Sequence, residues 1–241
     1  MGYREQDPPP HLRELVECRW DRTGPAEPGR ILPDGCMDLI QIDGTIIVAG
    51  PDTTAHIASG GRDPVRGLRF RPGVLPRLLG VPASELCDTR VELDELRPAT
   101  RGSSLEELTA ALASQSPRTE TAPWSLPMLG DVTRALATGQ SVSATARLVG
   151  WSNRTMQRQC TAVYGYGPAT LRRILRFRRA VGLIGTGMGS STVAARAGYA
   201  DQPHLHREIR ALAGVGIRRL RQPANAANRS TEVPSGSSTV A

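Results

Sequence analysis

Gly150-Trp151-Ser152-Asn153-Arg154-Thr155-Met156-Gln157-Arg158 is the stretch whose reading decides the fold, and Gly198-Tyr199-Ala200-Asp201-Gln202-Pro203-His204-Leu205-His206-Arg207 echoes it. A segment rich in small residues precedes each, Val142 to Val149 and Thr192 to Ala197, and an amphipathic pattern follows. Met156, Cys160 and Val163 fall at i, i+4 and i+7, as do Leu205, Ile209 and Leu212, the spacing of one buried helical stripe. Small side chains let two helices cross closely, and glycine at the corner accepts a positive φ that a Cβ penalises. Ser152 and Asp201 suit the N-caps of the helices that follow. The spacing predicts two helix-turn-helix units.

The units are an internal repeat. Ala146, Gly150 and Trp151 align with Ala194, Gly198 and Tyr199 at an offset of 48, whereas Met156, Cys160, Val163 and Gly165 align with Leu205, Ile209, Leu212 and Gly214 at 49. The second turn therefore holds one extra residue. Opposite the apolar stripes lie donor-rich faces: Asn153, Arg154, Gln157 and Arg158 in the first unit, Gln202, His206, Arg207 and Arg210 in the second. Between the units, Pro168 to Ile184 reads as a long helix. Its Arg172, Arg176 and Arg179 share one face, expected to turn toward a phosphate backbone or toward acids of the front half.

Charge separates the two halves. Residues 1–120 hold 14 Arg against 19 Asp and Glu, while residues 121–241 hold 16 Arg against 4 acids. A basic half carrying a repeated helix-turn-helix has the electrostatic footprint of a polyanion binder, since each neutralised phosphate releases counterions. The chain has no Lys, and nothing functional is drawn from that. No apolar run approaches the ~18 residues that span a bilayer, so a soluble protein without a membrane partner is expected.

Residues 126–222 closely resemble the DNA-binding domain of AraC/XylS-type transcriptional regulators. The resemblance rests on Gly-x-Ser-x-x-x-Met-Gln-Arg from 150, Gly165-Tyr166-Gly167-Pro168, Arg176-Phe177-Arg178-Arg179-Ala180 and Ala197-Gly198-Tyr199-Ala200-Asp201-Gln202-Pro203-His204-Leu205. Cys160 stands where that family usually has a large aromatic and Ile217 where it usually has a Pro; both are packing or capping positions. The resemblance implies a cytoplasmic regulator, not an enzyme, that binds double-stranded promoter or operator DNA. It also implies contact with RNA polymerase, a small-molecule effector in the front half, and a homodimer. Neither a cofactor nor a metal is expected. Arg or Gln in the N-terminal half of a recognition helix can pair bidentately with base edges. The expected base contacts are Arg154, Gln157 and Arg158, then Gln202, His206 and Arg207, with Arg210 on the same face; Asn153, Thr155 and His204 are expected at phosphates.

The front half reads as mainly β. Leu12 to Trp20, Met37 to Ile42, Thr45 to Ala49, Thr54 to Ala58 and Val65 to Phe70 are short apolar or alternating runs, and Asp43-Gly44 is a two-residue hairpin signal. Short helices are expected at Val74 to Leu79 and Pro82 to Leu86, and a longer one after Ser104. Leu32-Pro33-Asp34-Gly35-Cys36-Met37-Asp38-Leu39-Ile40, with Val48-Ala49-Gly50-Pro51-Asp52, resembles the small β-rich sensor or dimerisation domains that precede AraC-type DNA-binding domains, and implies a cupin-like partial barrel. The division expected is a β-rich domain over 1–113, a linker over 114–125, the double helix-turn-helix over 126–222, and a disordered tail over 223–241.

Asp34 reads as a turn former that caps its own backbone, not as half of a catalytic carboxylate pair with Asp38. Cys36 has no basic or His neighbour in sequence and reads as buried and inert. Arg66, Arg69 and Arg71 read as a solvated strand edge. Gly182 to Gly189 is a hinge, lacking the strand and the Gly-Lys-Ser/Thr of a phosphate loop, and His204 and His206 diverge by roughly 200° on a helix. Trp151 and Tyr199 read as turn packing. The alternative class is a DNA-repair or alkyl-acceptor protein, with Cys18, Cys36 or Cys87 as acceptor and the basic half as its anchor.

Overall fold

The computed structural model describes residues 2–24, 28–61, 64–98 and 104–221. The expected tail, 223–241, lies outside them. Among the described residues eight strands are formed: β1 (Tyr3–Gln6), β2 (Val16–Arg22), β3 (Gly29–Ile31), β4 (Met37–Ile42), β5 (Thr45–Ala49), β6 (His56–Ala58), β7 (Val65–Phe70) and β8 (Arg90–Glu92). Six of them make an antiparallel sheet in the order β1-β2-β7-β4-β5-β8, and β3 and β6 pair as a separate two-stranded ribbon. The run expected as a strand from Leu12 instead opens with a 3-10 turn at Pro10–Leu12, because three consecutive prolines precede it, and the strand starts at Val16. Asp43 and Gly44 both take positive φ, 47° and 80°, and close the β4–β5 hairpin as their pairing predicts.

Alternation gives the sheet two unlike faces. Leu39, Leu68 and Val48 lie opposite one another across β4, β7 and β5, with Met37, Phe70 and Val16 in the next row, and all six are buried in the core. The opposite face carries Trp20, Gly67 and Ile40 in one row and Arg69 and Asp38 in the next. That second face and the ribbon border a cleft open to solvent at its mouth.

Among the described residues ten α-helices follow the sheet or interrupt it: α1 (Val74–Leu79), α2 (Leu93–Leu96), α3 (Leu105–Ala113), α4 (Leu126–Ala137), α5 (Val142–Leu148), α6 (Asn153–Tyr164), α7 (Pro168–Gly185), α8 (Ser190–Ala197), α9 (Gln202–Ala213) and α10 (Ile217–Arg221). Ser104, Ser125 and Ser141 cap α3, α4 and α5, each accepting a backbone N–H with its side-chain oxygen.

The two halves share their interior. One cluster runs from Leu39, Leu68 and Phe70 of the sheet through Leu75 and Leu79 of α1 to Met156, Cys160 and Val163 of α6 and Leu171 and Ile174 of α7. Gly73, at φ 80°, sits so close beneath α6 that a Cβ there would lie 2.7 Å from Val163 and 3.0 Å from Tyr164. Between α3 and α4, Thr121 and Trp124 are buried and Arg77 Nη1 donates to the Trp124 carbonyl at 2.7 Å. A second cluster holds α8, α9 and the end of α7 together, and it includes Leu32 from the front half.

Candidate nucleic-acid interface

The same local devices build both units. Gly150 and Gly198 turn the corner at φ 70° and 82°. The next residue's N–H then reaches back five positions, Trp151 to the Ala146 carbonyl and Tyr199 to the Ala194 carbonyl, at 2.9 Å in each case. Ser152 Oγ accepts the Thr155 N–H at 3.1 Å, and Asp201 Oδ1 accepts the His204 N–H at 2.6 Å, so both recognition helices are capped by the residues the sequence singles out. Trp151 stacks on Trp124 with centroids 5.1 Å apart, and Tyr199 is buried beneath the Arg176 guanidinium at 4.5 Å, with the His204 ring edge-on to it. Both aromatics are turn packing.

The ten expected DNA-facing residues fall into two groups. Arg154, Arg158, His206, Arg207 and Arg210 are exposed, and among the described residues none of their side chains makes a hydrogen bond or ion pair within the chain. Asn153 Nδ2 donates to Ser143 Oγ at 3.1 Å, Ser191 Oγ donates to Gln202 Oε1 at 3.0 Å, and Thr155 Oγ1 lies 3.0 Å from Ser152 Oγ; these three brace α6 and α9 against the helix before them or their own cap. His204 Nδ1 accepts the Ala200 N–H at 3.4 Å. Gln157 lies against the Gly167 backbone, where a Cβ would overlap its amide.

The arginines of α7 are distributed otherwise than their spacing suggests. Arg173 Nε and Arg176 Nη2 meet Glu208 of α9 at 2.8 and 3.6 Å, which ties the joining helix to the second unit. The arginine that reaches the front half is Arg178: it is ion-paired with Glu17 of β2 and donates to Cys36 Sγ at 3.6 Å. The helix face that carries Arg172, Arg176 and Arg179 is not the one docked on the sheet. No short-range signal marks Arg178, because its partners lie 161 and 142 residues away in sequence.

The front half also corrects one expectation. Arg69 is not on a solvated edge: β7 is interior to the sheet, and the guanidinium is buried, 3.3 Å from Glu5, 3.4 Å from Asp38 and 3.5 Å from Asp34. Cys36, isolated in sequence, is brought by folding against Glu17 and Arg178. Asp34 Oδ1 does accept the Cys36 N–H at 2.8 Å, the self-capping turn its sequence implies. Burial, with acidic neighbours adding to it, pushes the Cys36 thiol well up, and burial first also moves Cys18 up to about 12 and Cys87 up to about 11. Thiols held neutral in this way are poor nucleophiles, which counts against the alkyl-acceptor reading. Among the described residues, no group of three His, Cys, Asp or Glu could hold a metal, and no helix is long and apolar enough to cross a membrane.

Two capped recognition helices with exposed, unpaired arginines define a helix-turn-helix DNA-binding protein. Residues 145–223 match the model of a helix-turn-helix domain, and residues 4–92 match a domain of unknown function (DUF6597). The chain is a DNA-binding transcription regulator that carries an AraC-type helix-turn-helix domain behind a β-rich N-terminal domain. Among curated proteins none matches it. Solved structures similar to it include ToxT from Vibrio cholerae O395, at 8% identity and TM-score 0.46 over 91% of this chain and 97% of that one. Another is the C-terminal domain of AraT, a response regulator from Geobacillus stearothermophilus, at 17% identity and TM-score 0.36 over 39% of this chain and 84% of that one.

Proposed function

We propose that the chain regulates transcription by setting α6 and α9 into successive major-groove segments on one face of promoter or operator DNA. Arg154 and Arg158 read one half-site, and His206, Arg207 and Arg210 face the other. Asn153, Thr155 and His204 lie near the phosphates, while Gln157 and Gln202 serve first to hold the helices in place. The observation that carries this reading is the shared geometry of the two units: each presents a capped N-terminal turn with unpaired cationic side chains. The functional division is 1–113 and 126–222. The protein acts in the cytoplasm, through RNA polymerase, as a monomer or homodimer, and the front half takes a small-molecule effector.

Selection of bound fragments from sheared genomic DNA at two salt concentrations tests the DNA reading. A bipartite motif with centres ~10 bp apart that persists at the higher salt is expected. Recovery without a motif, collapsing steeply with salt, would mean phosphate binding alone.

A further inference from the structure

We propose that the cleft between the six-stranded sheet and the β3–β6 ribbon binds a small organic cation, an amine or quaternary ammonium, and that its occupancy sets how the two helix-turn-helix units are held. The second half of this inference rests on the regulator reading above.

The recognition chemistry comes from the cleft floor. The Trp20 indole lies flat over Gly67, where any Cβ would overlap the ring, and its Nε1 donates to Asp38 Oδ2 at 3.1 Å. One face of the indole is thus pressed on strand β7 and the other is left toward the cleft, with the Tyr3 ring tilted beside it at 5.7 Å. Next to this platform, the guanidinium of Arg69 answers the carboxylates of Glu5, Asp34 and Asp38, while Arg178, the other cation near Asp34, is already ion-paired with Glu17. Elsewhere in the cleft Arg90 cancels Asp52 at 2.7 Å, and Arg22 stands two residues beyond Trp20 on β2, one strand row farther from the three acids. An aromatic face bordered by carboxylates in excess of their counter-charge is the chemistry that holds an alkylammonium, through the ring quadrupole and the surplus negative charge together. An anion would meet the same carboxylates as repulsion, with Arg22, whose Nε is buried without a hydrogen-bond partner, as the cleft cation left to it among the described residues.

The coupling follows from which segments wall the cleft, because three of them each carry a contact to the DNA-binding half. Ile31 and Leu32 line it, and next to them Arg30 Nη1 donates to the Ala213 carbonyl at the end of α9 at 2.8 Å, while Leu32 itself packs in the core of the second unit. Just before β6, the Ala55 N–H donates to the Leu212 carbonyl at 2.8 Å. Asp34 and Cys36 line it, and between them Gly35 rests on Leu171 and Leu175 of α7. Gly50 and Asp52 line it, and between them Pro51 packs on Gly165, the C-cap of α6. A molecule seated in the cleft therefore touches the segments that hold α6, α7 and α9.

The test uses the full chain and three probes that share a ring and differ in charge: benzyltrimethylammonium, benzyl alcohol and benzoate, titrated by calorimetry. Benzyltrimethylammonium should bind at least about tenfold more tightly than the other two, and Asp38→Asn and Trp20→Leu should each erase that preference while thermal melting confirms the fold. If Trp20→Leu does not fold, Asp38→Asn decides alone. Equal or tighter binding of benzoate or benzyl alcohol, or no binding of the cation, overturns the assignment. The cation should also change the dissociation constant for a selected DNA fragment, and Arg30→Ala should shrink that change while leaving cation binding intact. Cation binding with no effect on DNA affinity overturns the coupling; failure to bind any selected fragment overturns the regulator reading instead and leaves the cleft assignment standing.

Discussion

Replacing Arg178 by Met removes one partner of an ion pair that joins the sheet to the joining helix. The Glu17 and Arg178 side chains are only 14% and 16% exposed, so the carboxylate left behind is desolvated and without its counter-ion. Breaking a buried pair from one side costs roughly 3–5 kcal/mol, which for a chain of this size is a fall in Tm of about 10 °C. Replacing both partners, with Glu17→Leu added, removes the stranded charge and should recover most of the loss. The pH dependence has a definite sign. Burial works to raise the Glu17 carboxyl, but Arg178 overrides it and holds it below its usual range. A depressed carboxyl contributes stability that is present above its unfolded value and lost as pH falls through the folded one. The cost of Arg178→Met should therefore be greatest near neutrality and shrink as the stranded Glu17 takes up a proton in acid. Urea denaturation followed by circular dichroism measures all three variants. A single-variant cost under about 1 kcal/mol, or a double variant as unstable as the sum of the singles, would refute the claim that this pair is buried and mutually dependent.

Other outcomes can be checked in the same way. Gly165→Ala should cost about 2–4 kcal/mol, because φ is 86° and the new Cβ would lie 2.7 Å from Pro51, whereas Gly150→Ala, with positive φ but open space around it, should cost only about 1–2 kcal/mol; thermal melts separate the two. Burial raises the Asp38 carboxyl to about 6 despite Arg69. A raised carboxyl destabilises the fold as it ionises, so between about pH 4 and 6 the wild type should lose up to roughly 3 kcal/mol relative to Asp38→Asn, read from urea midpoints. Arg158→Ala should weaken DNA binding by about 1–3 kcal/mol and relax preference in one half-site only; equal weakening on every sequence would make Arg158 a phosphate contact.

What the sequence could and could not reveal follows the range of each interaction. The caps at Ser152 and Asp201, the stripes through Met156 and Leu205 and the hairpin at Asp43-Gly44 are written within a few residues, and each forms as read. The surface state of Arg69 was not legible, because alternation says that Arg69 and Asp38 share a face but not that β1 and the Asp34 turn close over them. Arg178 was missed for a related reason: four other arginines on α7 carry the same local chemistry, and only the docking of the sheet selects one. Asn153 and Gln202 look DNA-facing by residue type, yet the preceding helix of each unit supplies a hydroxyl within hydrogen-bond reach.

Gly35, Pro51 and Arg30 abut α7, α6 and α9 in turn, and this bears on how such a chain can be rearranged in evolution or by engineering. Tethered domains can be exchanged like beads, since little but a linker joins them. Here a graft of residues 126–221 onto another sensor would leave Leu171, Leu175 and Val163 facing water and both reading helices without their rear supports. The natural unit of exchange is the whole of residues 2–221, and specificity is best altered in place, on the exposed turns of α6 and α9.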